Sequence, residues 1–234
     1  MKRLLAVLAI VSNYASAQTP NVKPAAATPI PRTHDGKPDL NGVWDIPYVQ
    51  DMFRGAGDPP FTPTGAADYK AYNPADFDYT AHCLPMGLTR QMNTPMPLEI
   101  FQTSNKVAIL FEAWDTWRII PTDSRPHPKK LDPTWMGNSV GRWEGDTLVI
   151  DSTGFNDKTR LDTIGHPHSD SMHVIERFER ADATHIAYEI TVDDPVMYTK
   201  PIVNKRRFTL KPTWELMEYS CEENNKDVNE GHLK

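Results

Sequence analysis

The sequence predicts an all-β fold, an antiparallel β-barrel reached through a long, proline-rich, irregular N-terminal excursion. Three observations predict it. Seventeen of the 21 prolines fall between Pro20 and Pro133, and helix interiors do not tolerate that density, because each proline removes an N–H and clashes with the preceding turn. From Leu98 onward the chain breaks into short runs rich in β-branched and aromatic residues, spaced about 8 to 12 residues apart by turn signals. No helix-period segment long enough for a parallel crossover separates these runs, so an antiparallel meander follows.

Taken in order, residues 1–17 read as a secretory signal. Lys2 and Arg3 form a positive n-region, Leu4 to Val11 an apolar stretch, and Ala15-Ser16-Ala17 a small-residue cleavage pattern before Gln18. The stretch ends at Ser12-Asn13, well short of the roughly twenty apolar residues a membrane span needs. No transmembrane segment is expected after cleavage, and the protein is expected in the periplasm or secreted. Residues 18–34 are Ala/Pro/Thr-rich and read as a disordered lead-in. A single barrel domain is expected over 35–227, followed by a disordered tail over 228–234.

Order should begin near Asp35 to Trp44, where a turn cluster delivers a short strand carrying Trp44. Asp51 to Met96 has little periodicity, with one helical turn expected around Gly65 to Tyr72; so long a loop in a compact domain is commonly a lid or binding element. Strands are then expected at Glu99 to Ser104, Lys106 to Trp114, Thr116 to Pro121, Thr147 to Phe155, Met172 to Arg180, His185 to Val192, Val203 to Leu210 and Trp214 to Glu222.

Export governs how the cysteines are read. Cys83 and Cys221 are the only two, and in an oxidising compartment a distant even pair is expected to form a disulfide, tying the proline-rich half to the last strand. The net charge of −6 argues against nucleic acid or an anionic membrane as partner, since phosphate binding needs a basic surface. Lys205-Arg206-Arg207 is too short to reverse that and reads as an exposed strand edge.

Alternation sorts side chains into faces. Val174, Glu176 and Phe178 share one face opposite His173, Ile175 and Arg177, and Ile186, Tyr188, Ile190 and Val192 share another. If Val107 to Arg118 is one unbroken strand, Glu112, Trp114 and Arg118 follow Leu110 on the same face. Charged groups among apolar neighbours must pair or line a solvated pocket, because an isolated buried charge is costly.

The Gly42-Val43-Trp44 strand, the run Asp132-Pro133-Thr134-Trp135-Met136-Gly137-Asn138-Ser139-Val140-Gly141-Arg142-Trp143-Glu144-Gly145-Asp146-Thr147-Leu148-Val149-Ile150-Asp151, and Gly165-His166-Pro167-His168 before His173-Val174-Ile175-Glu176-Arg177-Phe178 resemble an uncharacterised family of secreted bacterial proteins. That similarity covers roughly Asp35 to Asp227. The Gly-x-Trp start and the meander are also similar to lipocalin-like (calycin) barrels. The resemblance implies a small-molecule cavity and carries no activity with it.

Candidate chemistry follows from residue type. His166 and His168, two apart on an extended backbone, could grip one divalent transition metal with His173, completed by Glu176 or Asp170. Without metal, His166 or His168 beside Asp151, Glu176 or Asp162 would make a general acid/base pair, since imidazole titrates near neutral pH and a carboxylate fixes its tautomer. Glu112, Trp114, Arg118, Arg177 and Tyr188 are the expected contacts for a small, partly apolar ligand. The segments Asp123 to Pro128 and Gly154 to Asp157 read as polar loops at the barrel mouth that could hold substrate, the alternative being that they only turn the chain. No phosphate loop, dinucleotide fingerprint, Gly-x-Ser-x-Gly elbow or zinc-protease helix occurs, which removes the common kinases, dehydrogenases, esterases and metalloproteases. The expected function is binding of a small molecule in a cavity with acid–base transformation as a lyase, isomerase or hydrolase. A ligand carrier or sensor without chemistry and a metal-dependent hydrolase or lyase are the alternatives.

Overall fold

The computed structural model describes residues 29–73, 78–223 and 225. The signal peptide, most of the lead-in and the 228–234 tail lie outside the described residues. Nine strands form one antiparallel sheet: β1 (Gly42–Asp45), β2 (Leu98–Gln102), β3 (Lys106–Phe111), β4 (Thr116–Pro121), β5 (Asn138–Glu144), β6 (Thr147–Thr153), β7 (His173–Arg180), β8 (His185–Asp193) and β9 (Ile202–Leu210). Their order is β4-β3-β2-β1-β9-β8-β7-β6-β5. Each strand thus lies beside its sequence neighbours and β1 pairs with β9, an up-and-down meander curled into a nearly closed barrel.

Closure fails only between β4 and β5. No ladder joins them; Ser124 N–H donates to the Gly141 carbonyl at 3.3 Å, and a Cβ on Gly141 would meet the Thr122 and Ile120 methyls at 3.1 and 3.2 Å. Glycine therefore lets β5 draw up to the end of β4 at this point. Toward Asn138 and Ser139 no main-chain bond joins the two strands among the described residues, and side chains of both line an open seam.

The barrel interior is filled. Trp44, Leu98, Ile109, Leu148, Ile150, Phe178, Tyr188, Ile190 and Phe208 are all at most 1% exposed, and Tyr188 stacks on Phe208 at 4.8 Å and meets Phe178 edge-on at 4.9 Å. The cavity expected inside the barrel is occupied by these rings, because inward positions alternate with large apolar side chains; the open spaces lie outside the wall and at the seam. The excursion packs Met52, Phe53, Leu88 and Met92 into the same core. It holds α1 (Pro63–Ala71), with Thr62 accepting from the Gly65 N–H at its N-cap, and the short α2 (Leu88–Gln91). Both serve the helix propensity of the segment only locally.

The fold is the expected all-β barrel, with five local corrections. Trp214 to Glu222 is not a strand but an irregular segment on the outside of β3 and β4, its Met217 and Tyr219 N–H groups donating to Glu112 and Asp115. The ninth strand is instead β5, whose glycine and polar residues hide its alternation. The strand expected through Trp114 breaks at a 3-10 turn, Ala113–Asp115, where Trp114 adopts φ 61°, so Arg118 rather than Glu112 continues the interior face. Lys205 to Arg207 is no edge: β9 lies between β1 and β8, with Arg206 buried inside and 5.6 Å from the Tyr188 ring. Cys83 and Cys221 do form a disulfide, 138 residues apart, but it joins the turn after Tyr79–His82 to the irregular C-terminal segment and not to a strand. Among the described residues no helix is long and apolar enough to cross a membrane.

Candidate functional site

The seam between β4 and β5 opens into a groove of about 640 Å³, within the range of small-molecule sites. Strand β4 supplies its floor and one wall. Period-two alternation turns Arg118 inward and Trp117 and Ile119 outward. Strand β5 supplies Asn138, Ser139 and Val140, and the loop after β4 supplies Arg125, Pro126, His127, Pro128 and Lys129. Three permanent cations, Arg118, Arg125 and Lys129, line the groove and no carboxylate does, in a chain whose net charge is −6.

Behind the floor lies a buried polar chain. Arg118 pairs bidentately with Glu176, Nη1 to Oε1 at 3.1 Å and Nη2 to Oε2 at 2.6 Å, the side chains 2% and 0% exposed. The Tyr188 hydroxyl donates to Glu176 Oε1 at 2.9 Å, and burial together with that carboxylate pushes its pKa well above the ordinary value. Arg118 Nη2 also donates to Ser139 at 3.0 Å and Ser152 at 3.2 Å, and those hydroxyls bond each other at 2.8 Å. Nη2 carries two protons against these three acceptors, so one is shared. Among the described residues Arg118 Nε is buried without a partner.

At the rim, His127 Nδ1 lies 2.8 Å from Asn138 Oδ1 and Nε2 lies 2.9 Å from Asp151 Oδ1. Both partners as placed are acceptors, which suits a ring donating from both nitrogens; turning the Asn138 amide over would suit a neutral ring instead. His173 Nε2 reaches the same Asp151 oxygen at 2.9 Å. Burial alone would raise the Asp151 pKa, but the hydrogen bonds and charge of His127 and His173 outweigh it and hold the carboxyl below its ordinary value. A depressed carboxylate contributes stability that is present above its unfolded pKa of about 4 and is lost as pH falls through the lower folded value. Asp151→Asn is therefore expected to cost no more than about 1 kcal/mol near pH 6, the pair being partly solvated. That difference should vanish in the acid range below the folded value; urea midpoints of both proteins across pH 2.5–6 check it.

The structure brings together Arg118, Glu176 and Tyr188 and disperses the other expected site residues. Asp151 sits on the outer face of β6 with His127 and His173. Arg177 is on the outside of β7, paired with Glu144 at 3.0 Å. Glu112 and Trp114 lie where the C-terminal segment folds over, Trp114 against Tyr219 at 5.1 Å. His166 and His168 face different partners. His168 Nε2 lies 2.5 Å from the Thr159 hydroxyl and Nδ1 donates to the Ser169 carbonyl at 3.1 Å; burial lowers its pKa and favours the neutral ring. His166 Nδ1 is 2.6 Å from Asp162, whose carboxylate also accepts the Met52 and His166 N–H groups. The His166 ring stacks on Tyr69 at 4.9 Å and meets Phe53 edge-on at 4.5 Å. The expected grouping of His166, His168 and His173 around one metal is thus not formed, because these three rings are committed to separate partners.

A different group could hold a divalent cation. Asp51, Asp162 and His166 each bring one ligand atom within 4.8 Å of the others. Asn138 and Ser139 were not among the site residues that sequence put forward, and His127 came forward only as part of a loop that could hold substrate, with no chemical role of its own. That loop, Asp123 to Pro128, was the signal, and its approach to β5 depends on a barrel closure that spacing does not reveal. No protein-family model matches the chain, and no curated protein matches it.

Proposed function

We propose that this is an exported protein, periplasmic or secreted, that binds a small, partly apolar anionic molecule in the seam groove. The observation that carries this reading is Lys129, a groove-wall cation with no ion pair among the described residues, beside the apolar surfaces of Trp117, Ile119, Pro126 and Val140. Arg118 is already neutralised by Glu176 and Arg125 is drawn toward Asp123 at 2.6 Å, which leaves Lys129 as the uncommitted charge for a ligand. The disulfide Cys83–Cys221 and the signal-like N-terminus support export.

His127 favours a second reading, in which the bound molecule is transformed. Its Nε2 is anchored on Asp151 and its ring lines the groove, so displacing Asn138 from Nδ1 by a ligand would let the ring exchange a proton there, as a general acid or base does. This moves the expected acid–base pair from His166 and His168 to His127 and Asp151. The group Asp51, Asp162 and His166 supports a divalent-metal alternative, although its carboxylate and ring are already hydrogen-bonded to each other and it opens on no groove described above.

Titration with 2-naphthoate, followed by calorimetry, tests the binding reading. Lys129→Glu is expected to weaken binding by about tenfold or more, a loss of roughly 1.4 kcal/mol, and neutral 2-naphthol should bind at least as weakly as 2-naphthoate does to that variant. Equal binding of the acid and the alcohol, or no effect of Lys129→Glu, would overturn it.

A further inference from the structure

The outer faces of β3 and β4 carry a run of adjacent apolar residues, where other strands expose single ones such as Phe101 on β2 and Val203 on β9. On β7 and β8 the outward residues include His173, Arg177, Glu179 and Glu189, whereas β3 and β4 present Ala108, Leu110, Trp117 and Ile119 outward. Trp117 is 65% exposed and Ile119 60%. Strands that are apolar on both faces ordinarily have both faces covered. Here the second face is covered only in part, by the C-terminal segment with Leu216 and Met217, and Met217 itself is 70% exposed. Between that segment and the strands runs a trough of about 360 Å³.

The trough and the seam groove share Trp117 and Ile119. These lie two residues apart on one strand, about 6.6 Å, with the cationic groove on the β5 side and the apolar trough on the β3 side. The path therefore has a charged end, an apolar middle and an apolar far section. The far end carries the opposite sign. Glu112 and Asp115 border the trough and accept the Met217 N–H at 3.0 Å and the Tyr219 N–H at 3.2 Å, pegging the outer wall in place.

We propose that the ligand of the seam groove is a single-chain amphiphile with one anionic head, taken up as a monomer. Its head lies against Lys129 and its alkyl chain crosses Trp117 and Ile119 into the trough beneath Met217. This rests on the reading of the groove as a small-molecule site and names the class of molecule. The sign of charge at the two ends sets the orientation: a second anionic group at the far end would face Glu112 and Asp115, and a cationic head would face Lys129.

Calorimetric titration with octanoate, decanoate and dodecanoate, each below its micelle threshold, tests the proposal, with dodecanedioate and dodecylammonium as comparisons. Each added methylene is expected to tighten binding by about two- to fourfold while it still meets apolar wall. Dodecanedioate and dodecylammonium should each bind about tenfold or more weakly than dodecanoate. Ile119→Glu, which changes a residue shared by groove and trough, should weaken dodecanoate by more than octanoate and so flatten the gain with chain length, whereas Lys129→Glu should weaken every chain length alike. If octanoate binds but lengthening adds nothing, or Ile119→Glu leaves dodecanoate unaffected, the amphiphile is overturned and the groove reading stands. If neither octanoate nor 2-naphthoate binds, the groove reading falls as well. Binding to anionic phospholipid vesicles without affinity for monomeric dodecanoate would assign the face to a membrane. Self-association abolished by Ile119→Glu, with dodecanoate not bound, would assign it to a second copy of the chain; either result overturns the proposal.

Discussion

Arg118→Ala is expected to cost about 3–5 kcal/mol of stability, because it leaves the fully buried Glu176 carboxylate without its counter-ion. Glu176→Leu should be similarly damaging, since it strands the guanidinium, whose remaining partners are the Ser139 and Ser152 hydroxyls. The triple variant Arg118→Met, Glu176→Leu, Tyr188→Phe removes both charges and the hydroxyl that donates to Glu176. It should recover most of the loss, because a buried ion pair and an apolar replacement of similar volume are often close in stability. Ser139 and Ser152 keep their mutual hydrogen bond in that background. Urea unfolding of the four proteins measures this. An Arg118→Ala variant within about 1 kcal/mol of wild type would mean that water reaches Glu176 and the barrel interior is not dry there.

Removing the disulfide should have an effect of the same order. A cross-link spanning 138 residues is worth about 5 kcal/mol in the chain-entropy model, an upper figure for most measured cases. Cys83→Ser with Cys221→Ser, or thorough reduction, is expected to lower the unfolding midpoint by at least about 2 kcal/mol equivalent. The loss should also be spatially selective. The C-terminal segment is also held by the Met217 and Tyr219 N–H groups donating to Glu112 and Asp115, by Tyr219 against Trp114 and by Asn225 donating to the Ala81 carbonyl at 3.0 Å. These contacts lie at the surface, so hydrogen exchange should accelerate first over 214–223 and the 3-10 turn Tyr79–His82. Unchanged exchange in both segments after reduction would show that these contacts alone hold them.

The barrel was legible because its signals are local. Inward Val174, Glu176 and Phe178 and inward Ile186, Tyr188, Ile190 and Val192 follow from period-two alternation, and all are buried. Gly145-Asp146 between β5 and β6 is a turn that residue type announces. What escaped were features set by tertiary contact. Strand β5 contains Gly141 and polar residues that lower its apparent propensity, yet it forms because β6 pairs with it from Asn138 to Glu144. Trp214 to Glu222 has the composition of a strand but meets Glu112 and Asp115 through isolated N–H groups, with no free sheet edge on its path. The site was half legible. Alternation placed Glu176 and Tyr188 on inward faces, whereas Arg118, grouped with the outward Leu110 on an unbroken strand, turns inward only because the 3-10 turn at Ala113–Asp115 resets the phase. Which histidine met Asp151 could not be read, because His127 arrives from a loop 24 residues upstream whose course depends on where the wall fails to close.

That incomplete wall has a further consequence for how the protein avoids its own kind. Two border strands with unmatched main-chain donors and acceptors are templates on which another chain could add, the first step toward a filament. The neighbourhood of this opening is crowded with Pro121, Pro126 and Pro128, none of which has an amide hydrogen to offer, and with Arg125 and Lys129, whose repetition in a stacked copy would repel. The prolines that make the first half of the chain irregular thus also act as guards, denying an intruding strand the regular ladder it would need.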